Sequence, residues 1–244
     1  MPPNAAVRRY ALPPRDRSVF INCPFDLGYS PLLKALIFAT YDCGFYPITV
    51  LDNNDSGELR LKRIEKTISK CSFGIHDISR TETASSVPGQ TPLPRFNMPF
   101  ELGLFLGLNA RRSGNRAPCL ILDTEPNRYD IFLSDISGLD ISPHGESPET
   151  LITCIRNWLA PHNNEDIVPS AHIVAQRYRV FEFELPSLAL ELLQDGEVDF
   201  TNVASENAYQ SYKLLLEEWL SHHHALRTPI PHGEPCNPPP STLH

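Results

Sequence analysis

The sequence predicts an α/β fold built on a five-stranded parallel sheet with helices on both faces, followed by a helical extension. Three observations carry this. Short apolar strand signals alternate with helical periodicity through residue 160. The strand segments read as nearly uniform apolar runs, as expected where both faces are covered. Serine-proline helix starts recur at Ser30-Pro31 and Ser147-Pro148.

In chain order, residues 18–23 form a first strand, ended by Pro24. The helix from Ser30 presents Leu32, Leu33, Leu36, Ile37 and Thr40 as its buried stripe, with Gly44 as the C-cap. Residues 45–51 read as the second strand and 52–57 as a loop. Asp55 with Glu58 three residues later has the spacing of a capping box, and Leu61, Ile64, Ile68 and Cys71 supply the next stripe. The basic residues Arg60, Lys62, Arg63, Lys66 and Lys70 read as a solvated helix face.

Residues 73–78 are a third strand, and the long segment 79–95 is a candidate functional loop. A helix starts at Met98-Pro99 and runs to about residue 112. Leu, Phe and Met residues on nearly every side of it predict all-round burial. Residues 118–123 are a fourth strand, and a short fifth falls within 136–141. The helix after Ser147 buries Leu151, Ile152, Ile155, Trp158 and Leu159. The α/β domain thus spans 18–160.

Beyond residue 165 only helical spacing remains, with Val174, Tyr178, Phe181 and Leu185 in one helix and Tyr209, Tyr212, Leu216 and Trp219 in another. This helical extension covers 165–225, packing on the sheet domain or on another copy of the chain. Residues 1–17 and 228–244 read as flexible tails, the latter rich in proline.

Composition narrows the function. The 244 residues are 41% hydrophobic and 20% charged, which are globular values. A formal charge of −8 argues against a nucleic-acid partner, since phosphate contacts need a basic surface. No apolar run reaches the roughly 18–20 residues of a membrane span. The first residues lack a signal-peptide core, so a cytoplasmic location is expected. Six scattered cysteines form no zinc or disulfide pattern, and His222 to His224 lie at a helix end without metal-site spacing.

One acidic side chain sits within the apolar run 96–108: Glu101, one turn into its helix. The helix N-terminal dipole stabilises such a carboxylate, or it is kept for chemistry. In parallel sheets ligands gather at the carboxyl ends of the strands. That edge would hold residues 22–30, the 52–57 loop, Asp77 to Arg80 and the start of the Glu101 helix. His76 and Asp77 alternate along the third strand, so at most one faces the site. Cys23 reads as a spectator thiol.

Three stretches carry a family likeness. Val19 through Asp26 resembles the first strand and loop of TIR domains. Glu58 through Ile68, followed by a strand, resembles their second helix and third strand. Phe100-Glu101-Leu102-Gly103 resembles the glutamate-x-glycine of the catalytic helix in TIR domains and nucleoside 2-deoxyribosyltransferases. The chain therefore resembles the TIR-like branch of flavodoxin-like domains across residues 18–160. Met98-Pro99-Phe100 replaces the tryptophan-cysteine usual before that glutamate, and Cys23-Pro24 replaces a serine-type residue in the first loop.

The resemblance implies cleavage of the nicotinamide–ribose bond of NAD, with Glu101 catalytic, NAD as substrate rather than cofactor, and no metal. In that reading Phe25 stacks on a base or nicotinamide ring or is an ordinary core or loop residue, Asp26 binds a ribose hydroxyl or caps a turn, Asn97 orients Glu101 or substrate or only starts its helix, and Asp77 and Arg80 close the third strand, with Arg80 on a phosphate or in a surface ion pair. It further implies a homo-oligomer, through the α/β domain or the C-terminal helices, and a context in antiviral defence. Two alternatives stand beside it: an enzyme of free nucleosides like the deoxyribosyltransferases, and a non-enzymatic nucleotide-sensing or self-association module.

Overall fold

A computed structural model describes residues 13–52, 57–81, 95–112, 116–164, 167–193 and 198–223. Five strands form one sheet: β1 (Ser18–Asn22), β2 (Tyr46–Ile48), β3 (Phe73–Asp77), β4 (Cys119–Asp123) and β5 (Ile141–Pro143). Their spatial order is β2-β1-β3-β4-β5 and every neighbouring pair is parallel. This is the doubly wound, flavodoxin-like order. The registers Val19↔Phe73, Ile75↔Leu120 and Ile121↔Ile141 bring the carboxyl ends of the central strands to one edge.

Among the described residues are six α-helices: α1 (Ser30–Asp42), α2 (Arg60–Lys70), α3 (Asn97–Ala110), α4 (Pro148–Leu159), α5 (Ala171–Leu193) and α6 (Glu206–His222). Strand alternation sorts the core into two sides. Val19, Ile21, Ile75, Leu120 and Leu122 face α1 and α4. Phe20 and Ile121 face the other way, toward α2 and α3. Gly74 is required on that second side. A Cβ there would lie 2.6 Å from the Phe105 ring, which instead stacks at 6.3 Å on Phe20 and 4.7 Å from His76.

Helices α5 and α6 form an outer layer on α1 and share its core. Eleven of the thirteen residues of α1 are consequently buried, well beyond the stripe that periodicity marks. Phe38 meets Tyr178 at 5.4 Å, Phe181 at 5.8 Å and Trp219 at 6.0 Å between ring centroids. Asp42 accepts two guanidinium hydrogen bonds from Arg177 at 2.9 and 3.0 Å, and that guanidinium lies over the Trp219 ring. Gly44 follows α1 with φ +85°, the left-handed conformation expected of its C-cap role.

Several local expectations change. α2 starts at Arg60 with no side-chain cap, Asp55 lies outside the described residues, and Glu58 instead approaches Lys66 at 3.5 Å. β5 lies at Ile141–Pro143, at the far end of the 136–141 window, because Ser134–Ile136 forms a short helical turn. α3 is not buried all round. Phe96 and Phe100 are 51% and 59% exposed, and Gly103 and Gly107 share that outward side, because no described element covers it. Most of the 79–95 loop, residues 82–94, and the predicted proline-rich tail lie outside the described residues. None of the five described cysteines is in a disulfide.

Candidate active site at the carboxyl edge of the sheet

Every central strand ends in a polar group at this edge. Asn22 ends β1, Asp77 ends β3, Asp123 ends β4, and His144 follows β5; all four are buried. Four of seven buried side-chain N or O atoms without a hydrogen-bond partner among the described residues belong to this region: Asn22 Oδ1, Ser79 Oγ, Asp123 Oδ2 and His144 Nε2. Native interiors leave few such atoms, and their concentration at one edge marks a place organised for more than packing.

The loop after β1 builds one wall. Pro24 ends the strand, and Asp26 Oδ1 accepts the Tyr29 N–H at 3.0 Å, capping a short helical turn. That cap aims Tyr29 inward, where its hydroxyl donates to Asp77 Oδ2. Asp77 also accepts the Ser79 N–H at 2.8 Å, and His144 Nε2 lies 3.1 Å from it, outside hydrogen-bond alignment. Burial pushes the Asp77 carboxyl up. The contacts with His144, Ser79 and Tyr29 outweigh that and hold it below the ordinary range. Asp77 is therefore a fully buried anchor beneath the surface and lines no part of the cleft.

A second anchor joins β3 to β4. Arg128 donates from Nε to Asp123 Oδ1 at 2.7 Å and from Nη2 to the Ile78 and Ser79 carbonyls at 3.0 and 2.8 Å. A third fixes α3: Asn22 Nδ2 donates to the Met98 carbonyl at 3.0 Å and stands 3.0 Å from His76 Nδ1. Burial drives the His76 imidazole down to about 3, so at neutral pH it is uncharged and accepts that proton at Nδ1.

Above these anchors opens a cleft of about 200 Å³, lined by Pro24, Phe25, Asp26, Arg60, Arg80, Arg95, Asn97 and Met98. Four residues singled out from the sequence meet there: Phe25, Asp26, Arg80 and Asn97. Asn97 and Glu101 are one turn apart on α3 and so share a face. Glu101 joins the cleft through Arg60, whose Nη2 lies 3.3 Å from Glu101 Oε1. The glutamate side chain is 4% exposed against 56% for the arginine. Burial raises the Glu101 carboxyl above its ordinary 4.5, and Arg60 opposes the shift without cancelling it.

Two cleft residues escaped the sequence reading. Arg60 belongs to the basic run assigned to a solvated face, yet its place at the first turn after the β2–α2 loop is a carboxyl-edge position. Arg95 closes the long loop and approaches Asp26 at 3.9 Å; nothing in its sequence setting marks it. Tyr29, Asp123, Arg128 and His144 were also unmarked. Cys23 is buried, and burial followed by Asp77, Glu101 and Asp26 pushes its thiol up, so it does not supply a thiolate.

Chemically, the cleft offers a desolvated carboxylate behind an arginine, an aromatic ring, and two further guanidinium groups, Arg80 at 3.6 Å from Glu146 and Arg95 at 3.9 Å from Asp26 Oδ2. No three His, Cys, Asp or Glu side chains converge as a metal site among the described residues. Likewise, no described helix is long and apolar enough to cross a membrane. Comparison with family models, with curated proteins and with solved structures finds no match for this chain. The fold and the edge cleft define a flavodoxin-like α/β protein, and its function rests on the chemistry of the cleft.

Proposed function

We propose that the chain is a TIR-like NAD glycohydrolase, with Glu101 as the reacting carboxylate. The observation that carries this reading is a buried glutamate beside a cleft that holds Phe25, Asp26 and three arginines. Such a set suits a ligand with a flat ring, a sugar and phosphates.

The ribose–nicotinamide bond breaks with its electron pair going to the ring nitrogen, which quenches the pyridinium charge. Positive charge then develops at the ribose carbon, and the Glu101 carboxylate stabilises it. Water adds at that carbon and releases one proton, giving ADP-ribose and nicotinamide. No general acid is needed, because the leaving group departs neutral. Phe25 provides a face for the nicotinamide, Asp26 accepts a ribose hydroxyl, Arg80 and Arg95 take the phosphates, and Asn97 orients the reacting groups. A cleft of about 200 Å³ lies below the roughly 300–1,000 Å³ of ordinary ligand sites, so it encloses one end of the dinucleotide. Exposed apolar side chains on α5, Phe183 at 85% and Leu190 at 65%, support self-association through the outer helices.

The test is incubation with NAD at high protein concentration, with product analysis. Nicotinamide release by the wild type and its loss in Glu101→Gln are expected; equal release by both overturns the assignment. The small cleft favours one second reading, a nucleoside-processing enzyme, and base exchange on free nucleosides without NAD turnover would establish it.

A further inference from the structure

At the amino edge of the sheet, opposite the cleft, four arginines converge. Arg15 precedes β1, Arg111 and Arg112 follow α3, and Arg116 precedes β4. They line one open hollow of about 670 Å³, together with Ser72, Phe73 and His162, and among the described residues no acidic side chain lines it. About 13 Å of β3 separates this hollow from the carboxyl edge, taking four residue steps of roughly 3.3 Å.

The simplest account is capping, since α2 and α3 end beside the hollow and helix C-termini attract cations. That account covers only part of the charge. Two C-termini supply about −0.5 each, or about −1 together, against four guanidinium charges. Arg112 does the capping: its Nη2 donates to the Ile68 and Cys71 carbonyls at 3.1 Å each. Arg15, Arg111 and Arg116 are exposed and make no ion pair with a carboxylate among the described residues. Among the described residues about three positive charges therefore remain uncompensated, in a chain whose formal charge is −8. Like charges held together repel, and an anion between them removes that repulsion.

We propose that this hollow binds a small ligand carrying two or more adjacent phosphates. Guanidinium forks pair bidentately with phosphate oxygens, and three of them on separate segments suit a phosphate chain better than a single carboxylate. The volume fits a small molecule. The acidic remainder of the chain repels a long polyanion and leaves a compact one unhindered. The His162 ring, 5.1 Å from Phe73, lies beside the arginines as a face for a base, should the phosphates belong to a nucleotide.

The experiment is calorimetric titration of the full chain with inorganic triphosphate, with a nucleoside triphosphate, and with a single-stranded oligonucleotide. Saturable triphosphate binding is expected, weakened at least tenfold in Arg111→Glu/Arg116→Glu and separately in Arg15→Ala. It should persist in Arg80→Ala/Arg95→Ala, which separates this hollow from the carboxyl-edge cleft. Tighter binding of the nucleoside triphosphate identifies a nucleotide site; equal binding identifies recognition of the phosphate chain alone. Absence of triphosphate binding, loss in the Arg80/Arg95 variant instead, or oligonucleotide binding that tightens with length and displaces triphosphate would each overturn the proposal.

Discussion

Arg60 reaches from the first turn of α2 to the first turn of α3, where its guanidinium lies 3.3 Å from the buried carboxylate of Glu101. More than half exposed itself, it brings the only side-chain charge paired with that carboxylate among the described residues. One group thus borders the cleft and moderates the burial-driven rise in the carboxyl behind it.

This relationship has a pH signature. Burial raises the Glu101 carboxyl above 4.5, and Arg60 lowers it part of the way back. If the ionised form acts, the rate climbs with pH through a value above 4.5, and Arg60→Gln moves that acidic limb higher. The same variant largely keeps kcat above the limb, and KM changes little because Arg80 and Arg95, not Arg60, take the phosphates. pH–rate profiles of the two proteins check this; coincident acidic limbs would remove Arg60 from the site.

Asp77 behaves in the opposite sense. Its carboxyl is held below the ordinary 3.8, so the folded state binds its proton less readily than the unfolded chain does. The stability this contributes is complete above 3.8 and is lost as pH falls through the lower folded value. Asp77→Asn should cost about 2–3 kcal/mol at neutral pH, the scale of hydrogen bonds to a buried charge. Its stability should also decline less steeply between those two values. Urea midpoints measured across acidic pH provide the comparison.

The Asp42–Arg177 pair tests the outer layer. Arg177→Met takes the guanidinium away from the buried Asp42 carboxylate, and such losses cost about 3–5 kcal/mol. Replacing both, with Asp42→Leu, should recover much of the loss, because two apolar side chains suit the aromatic surroundings of Phe38 and Trp219. A double-mutant cycle in denaturant measures the coupling, and additive losses would show that the two groups act separately.

How much of this was legible in the sequence follows from the range of the forces involved. Ser147 caps α4 as its serine-proline signal predicts, accepting the Thr150 N–H at 3.3 Å, because a cap is decided within four residues. β1, β3 and β4 matched their apolar runs for the same local reason. The 136–141 window met β5 only at Ile141: the strand's three residues are half-buried or exposed, and so carry little hydrophobic signal. The site divided the same way. Phe25, Asp26, Arg80 and Asn97 follow strand ends or open a helix, and position alone brought them to the edge. Arg95 and the Tyr29–Asp77–His144 cluster are joined across segments far apart in the chain, and no local pattern encodes such contacts.

Helix α1 keeps almost no outward side, with only Pro31 and Lys34 short of burial. Its sheet face rests on β1 and β3, and the surface that an ordinary α/β helix shows to water is sealed by Phe181, Tyr212 and Trp219. Tyr209 and Lys213 of α6 also bind Asp52, beyond the end of β2, at 2.9 and 2.7 Å. A gene fusion cut at residue 164 would transplant half an interior. Whatever partner such an edited domain were given, its first task would be to find a new roof for α1.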